Sequence, residues 1–135
     1  MIETSLLITI GLLVIGAYIV VVFGGVLFVG FFLRLLKVSP EIGLNGGLPR
    51  AGTLVGMTER AIVLTFGLLG EYGAISFVFA AKSMARFKQL ENRHFAEYYL
   101  IGTLLSFFLA LIVAIITQIV FGLYLAPLIP EGTLI

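Results

Sequence analysis

Three long apolar runs dominate this chain, at about residues 5–33, 60–82 and 98–125, and each is long enough to cross a bilayer. About 20 helical residues cover the roughly 30 Å of hydrocarbon in a membrane. A segment in that medium must satisfy its own backbone hydrogen bonds, which leaves the α-helix as the available form for isolated spans. Composition agrees, with 61% hydrophobic and 11% charged residues in 135, against about 25% charged in an ordinary soluble domain. The expectation is an all-α membrane protein, one transmembrane domain over residues 1–135. It has three transmembrane helices, loops at about 34–59 and 83–97, and a charged helical extension after the second span.

The same composition removes several function classes. Without cysteine there is no disulfide, thiolate nucleophile or cysteine metal site. His94 is the single histidine, so no histidine-based metal motif exists, and neither a cofactor nor a metal is expected. A net charge of +1 gives no nucleic-acid footprint. Lys82 and Ser83 are adjacent, and adjacent helical residues point about 100° apart, so they form no catalytic dyad. The reading is therefore not an enzyme. The N-terminal MIETS lacks the basic start of a cleavable signal, and the first span is expected to remain as an anchor.

Arg34 and Lys37 end the first span, which is free of charge and carries Gly11, Gly16, Gly24, Gly25 and Gly30. In the following loop, Ser39-Pro40-Glu41 has the form of a helix start, and Asn45-Gly46-Gly47 that of a tight turn. Arg60 and Lys82 bound the second span. As a straight helix it would be about 33 Å long, with Glu71 at its midpoint. Beyond it, Met84, Phe87 and Leu90 recur at spacing three and would give the charged extension a weakly apolar face for the membrane surface. Tyr98, Tyr99 and Tyr124 mark the ends of the third span, where amphipathic rings favour the interface.

Orientation is undecided by charge. With three spans, Arg34, Lys37, Arg50 and Arg60 lie on one side and Lys82, Arg86, Lys88 and Arg93 on the other. Lys and Arg in short loops set orientation, and here the count is tied. Either the first span decides, leaving the N-terminus outside, or copies insert both ways.

Two patterns nominate sites. Gly102, Ser106, Ala110 and Ala114 recur at spacing four, and the ladder continues to Gln118 and Gly122. Residues four apart share a helix face, and a face of small residues lets backbones approach closely in membranes. The seam serves either internal packing or self-association. In the second span, Arg60, Glu71, Lys82 and Arg93 fall eleven apart, close to three helical turns, and so form one drifting stripe. Gly67 and Ala74 lie near Glu71 on that face. A carboxylate at a span centre costs about 2.5–3.5 kcal/mol, and no intramembrane cation is available to match it. Glu71, Gly67, Ala74 and Gln118 are thus the candidates for a permeation or intramembrane polar site. The alternative makes Glu71 a neutral interhelical hydrogen bond. Lys82, Arg86 and Lys88 are assigned to headgroups or a partner.

The stretch from Leu48 to Phe107 also carries a resemblance. "LPRAG…GMTERAIVLTF", "AISFVFAAKSMARF" and "AEYYLIGTLLSF" resemble the C-terminal membrane region of an uncharacterised prokaryotic membrane-protein family, a domain of unknown function. The matching positions are Glu59 and Arg60, Ala80 to Ser83 with Arg86 and Phe87, then Glu97, Tyr98, Gly102, Thr103 and Ser106. Longer members of that family carry more membrane helices, and Glu71 stands where a neutral polar residue such as Gln is expected. The resemblance implies a multi-pass protein of a prokaryotic cytoplasmic membrane and no particular activity. The leading functional reading is a small homo-oligomeric channel or transporter for ions, protons or small solutes that uses Glu71. The alternative is a structural or accessory module within a larger membrane assembly. The partners expected are the bilayer, further copies of the chain and other membrane subunits.

Overall fold

The computed structural model describes residues 1–37, 51–129 and 131–132. The expected helix start at Ser39–Glu41, the turn at Asn45–Gly47, Arg50 and the beginning of the resemblance at Leu48 lie outside the described residues. Every regular element among those described is helical. The first rod comprises α1 (Ile2–Ile19), a π-helical turn (Val20–Gly24) and α2 (Gly25–Leu35). It is followed by α3 (Ala51–Leu69), α4 (Tyr72–Ala85) and α5 (Arg93–Val120). A second π turn (Phe121–Leu125) and a 3₁₀ turn (Ala126–Leu128) extend α5. Three stretches, Glu3–Leu35, Ala51–Leu69 and Arg93–Leu128, are long and apolar enough to cross a membrane. This is a helical membrane protein.

The straight second span does not form. α3 stops at Leu69, and Gly70 adopts φ +75°, a backbone conformation that costs other L-residues about 1–2 kcal/mol. The Glu71 amide then donates to the Phe66 carbonyl at 2.9 Å and the Gly70 amide to that of Gly67 at 3.2 Å. These two bonds constitute a Schellman motif, the common glycine-terminated end of a helix. α4 starts immediately, with Glu71 at its N-cap position, and runs back along α3. Lys82 near its end meets Glu59 at 2.8 Å. The residues Arg60, Glu71, Lys82 and Arg93 therefore do not share one helix: they lie on α3, in the turn, on α4 and on α5.

Contacts fix the direction of every rod. Tyr18 hydrogen bonds to Thr65, and Arg60 to the Val22 carbonyl, so the first rod is antiparallel to α3. Arg60 meets Ser106, and Gly67 lies against Ala114, so α3 and α5 are parallel. Tyr72 reaches Gln118, Phe79 packs edge-on to Phe107, and Ser83 reaches Tyr99, so α4 is antiparallel to α5. The core between them holds Ala17, Val21, Val63, Leu64, Ile75, Phe107, Ala110 and Ala114. The small ladder supplies it from α5. A Cβ added at Gly67 would come within 2.8 Å of the Ala114 Cβ, which shows how closely α3 and α5 approach. Apolar side chains such as Leu12, Phe23, Leu27, Phe77, Phe108 and Leu123 point away from the bundle, as lipid-facing positions do.

The extension after the second span is also not a continuous helix. α4 ends at Ala85, a 3₁₀ turn covers Gln89–Glu91, and the Asn92 side chain accepts the Phe95 amide at 3.2 Å to cap α5. Met84, Phe87 and Leu90 consequently share no helical face. Capping by Asn92 satisfies an amide that the helix itself leaves unpaired, and it starts α5 several residues before the expected Tyr98. Arg93 and Glu97 form an exposed i,i+4 pair at 3.1 Å.

Candidate functional site: a polar cavity at the basic end

The reversal at Gly70 brings the end of α4 back beside the first half of α3, and together with the end of α2 and the start of α5 they line a half-open cavity of about 750 Å³. Its walls differ in character. α2 contributes Val26, Val29, Gly30 and Leu33, all apolar. The polar part of the lining comes from Glu59 and Arg60 of α3, Lys82 of α4 and Arg86 just beyond it, with Tyr98, Tyr99, Gly102, Thr103 and Ser106 of α5.

Glu59 and Arg60 are both buried, 6% and 4% exposed. A buried charge is tolerated when it is paired and hydrogen-bonded. Glu59 meets that condition through Lys82, whose ammonium also lies 5.1 Å from the centre of the Tyr99 ring. Tyr99 in turn bonds to Ser83 at 3.3 Å. Arg60 has no carboxylate of its own among the described residues. Its guanidinium donates to the Ser106 hydroxyl at 3.2 Å and to the Val22 carbonyl at 3.3 Å, while its Nε has no partner. Val22 lies inside the π turn of the first rod, and such turns interrupt the helical ladder and are frequent at functional sites.

Two glycines make room for this arginine. A Cβ at Gly25 would overlap its Nε and Cδ, and one at Gly56 would come to 3.4 Å from Nη1. Thr103, 1% exposed, adds a second unsatisfied group, since its Oγ1 has no hydrogen-bond partner. Thr9, Thr58, Thr65 and Thr117 each donate to the carbonyl four residues earlier. Thr103 does not, and it is one of the residues that line the cavity.

The residues nominated around Glu71 lie elsewhere. Glu71 is exposed at the hairpin tip, bonded through its backbone, and its carboxylate makes no hydrogen bond or ion pair to any described residue. Its neighbours there act on the turn. Gln118 donates through Nε2 to the Gly67 carbonyl at 3.0 Å and the Leu68 carbonyl at 3.3 Å, and Tyr72 donates to its Oε1 at 3.4 Å. Gln118 thereby satisfies carbonyls that the end of α3 leaves open. Gly67 is buried against α5, and Ala74 is half-buried one turn into α4. The structure thus assembles Gly67, Gln118 and Tyr72 into a clamp on the hairpin and leaves the Glu71 carboxylate outside it.

Of the residues assigned to headgroups, Lys82 is turned inward onto Glu59, Arg86 is half-buried at the cavity, and Lys88 is exposed. Ser106, Ala110 and Ala114 of the small ladder are buried, while Gly102 lines the cavity. The cavity also gathers much of the resemblance pattern: Glu59, Arg60, Lys82, Arg86, Tyr98, Gly102, Thr103 and Ser106 converge on it. By sequence alone Arg60 stands at a span boundary, and neither Tyr99 nor Thr103 is marked for a site. The available signal was the apolar pair Leu54-Val55 ahead of Glu59-Arg60, which sets those charges inside the helix. Among the described residues no group of three or more His, Asp or Glu side chains is arranged to hold a metal. No known protein family, curated protein or solved structure matches this chain.

Proposed function

We propose that this chain is a non-enzymatic protein of a prokaryotic cytoplasmic membrane that binds an anionic ligand in the cavity at its basic end, as the recognition step of transport or sensing. One observation carries the reading: the Arg60 guanidinium is buried against a cavity with, among the described residues, only neutral hydrogen-bond partners. Glu59, Arg60 and Lys82 together hold two cations and one anion, so the site carries a positive charge that a bound anion would neutralise. Buried cations without a counter-charge are costly. The reading moves the functional centre from Glu71 to Arg60. Purified protein in neutral detergent is expected to unfold at a higher temperature when a suitable anion is added, because a ligand that binds only the folded state stabilises it. Arg60→Gln should remove that shift. A wild-type protein indifferent to inorganic phosphate, sulfate and anionic amphiphiles alike would sink the proposal.

The direction of the rods supports a membrane topology different from the three-span scheme. The α3–α4 hairpin enters and leaves on one side, so the start of α1 and the end of α5 share the opposite side. This holds whether or not the hairpin spans fully. α4, with 14 residues, is about 21 Å long and falls short of a full crossing. Arg34, Lys37, Lys82, Arg86, Lys88 and Arg93 then all stand at one end, and the tie in basic residues disappears. By the positive-inside rule that end faces the cytoplasm. Reporters fused at the N- and C-termini should both read as external, and one inserted at Lys88 as cytoplasmic. A cytoplasmic C-terminus beside an external N-terminus would restore the three-span scheme.

A further inference from the structure

We infer that the ligand of this cavity is an anionic amphiphile bearing a phosphate ester, with the phosphate at Arg60 and Thr103 and the acyl chain against α2; this rests on the anion-binding reading above. The donors fit a phosphate. Each terminal nitrogen of a guanidinium carries two hydrogens, and Nη1 and Nη2 of Arg60 each spend one, on Ser106 and on Val22. One hydrogen on each remains. Thr103, 1% exposed and with its hydroxyl unpartnered among the described residues, lines the same cavity. A planar fork and a hydroxyl in one cavity offer donors for several oxygens of one phosphate. Glu59, the carboxylate that would repel it, is committed to Lys82.

The apolar part of the lining decides against a free ion. Val26, Val29 and Leu33 add aliphatic surface to the same cavity, and a hydrated inorganic anion has no use for it. The volume, about 750 Å³, lies in the usual range for sites that enclose an organic ligand and is many times that of one phosphate. The position fits as well, since basic pockets between membrane helices at the cytoplasmic side suit lipid headgroups. Arg86, half-buried at the rim, supplies a second positive charge for a diester or its headgroup.

The test titrates wild-type protein in neutral detergent with dioctanoyl-phosphatidylglycerol, dioctanoyl-phosphatidylcholine and inorganic phosphate, reading heat of binding and thermal unfolding. Saturable binding of the phosphatidylglycerol is expected, with Arg60→Gln weaker by about tenfold or more, as for a lost charged hydrogen bond. A second variant does not touch the polar groups. Gly30 and Gly102 line the cavity, and a Cβ at either meets nothing within 4 Å. The double variant Gly30→Leu/Gly102→Leu should therefore fold, fill the cavity and abolish binding with Arg60 in place. It carries the test if Arg60→Gln fails to fold. Equal binding of inorganic phosphate would overturn the amphiphile and leave the anion reading standing. Equal binding of phosphatidylcholine, or phosphatidylglycerol binding undiminished in the double variant, would overturn the site. No binding of any of the three, or of sulfate, overturns both proposals.

Discussion

Glu59→Gln is expected to destabilise the bundle by about 3 kcal/mol, because it leaves the Lys82 ammonium without the carboxylate it is paired with. Breaking one side of a buried ion pair typically costs about 3–5 kcal/mol. The lower end applies here, since the Lys82 side chain is 21% exposed and that of Glu59 only 9%. The pair also locks the open end of the hairpin, joining α3 to α4 opposite the Gly70 turn. Lys82→Met should be similarly harmful, as it strands the carboxylate. The double variant should be less unstable than the sum of the two, since it removes both charges together. Denaturant unfolding of the reconstituted protein measures all three. A Glu59→Gln protein within about 0.5 kcal/mol of wild type would mean that the pair behaves as a hydrated surface contact.

The second large effect is expected at Gly25. A Cβ there would overlap Nε and Cδ of Arg60, so the arginine side chain must move off this buried face of the first rod and give up its bonds. Gly25→Val should cost about 3 kcal/mol, from overpacking together with displacement of the guanidinium from Ser106 and Val22. It should also lose anion binding. Gly24 supplies the control, for a Cβ at this neighbouring position meets nothing within 4 Å. Gly24→Val is expected to stay within about 0.5 kcal/mol of wild type, in the range of substitutions away from packed features. Thermal unfolding of the two variants side by side separates the close approach at Gly25 from a general intolerance of bulk in this glycine-rich rod.

The apolar length of the rods was legible from residues alone, as was the small face of α5, because both follow from side-chain size and helical spacing. The hairpin was not. The reading of residues 60–82 as one helix took the 22-residue distance between Arg60 and Lys82 as the thickness of a membrane, and two antiparallel rods satisfy the same composition. The cue was present in Gly70, a glycine next to the anomalous Glu71 and followed by Gly73. A glycine at that place ends a helix as readily as it packs one. The site was hidden by the same choice. Lys82 meets Glu59 only after the chain reverses, so a straight helix holds them more than 30 Å apart. Thr103 carried no distinguishing mark, for its four counterparts with bonded hydroxyls look the same in sequence. What sets it apart is which carbonyl its side chain fails to meet.

The folded-back hairpin also gives the bundle an electrical polarity. Arg34, Lys37, Lys82, Arg86, Lys88 and Arg93 belong to one end, where they outnumber Glu59, Glu91 and Glu97, while Glu3 at the start of α1 and Glu71 at the hairpin tip belong to the other. An energised membrane that is negative inside does work of about 2.3 kcal/mol per elementary charge per 100 mV on any charge carried fully across it. With the basic end in the cytoplasm, that voltage pulls the cations inward and the carboxylates outward, so it reinforces the orientation. A single tip carboxylate then makes the hairpin easier to insert in a charged membrane than in a depolarised one.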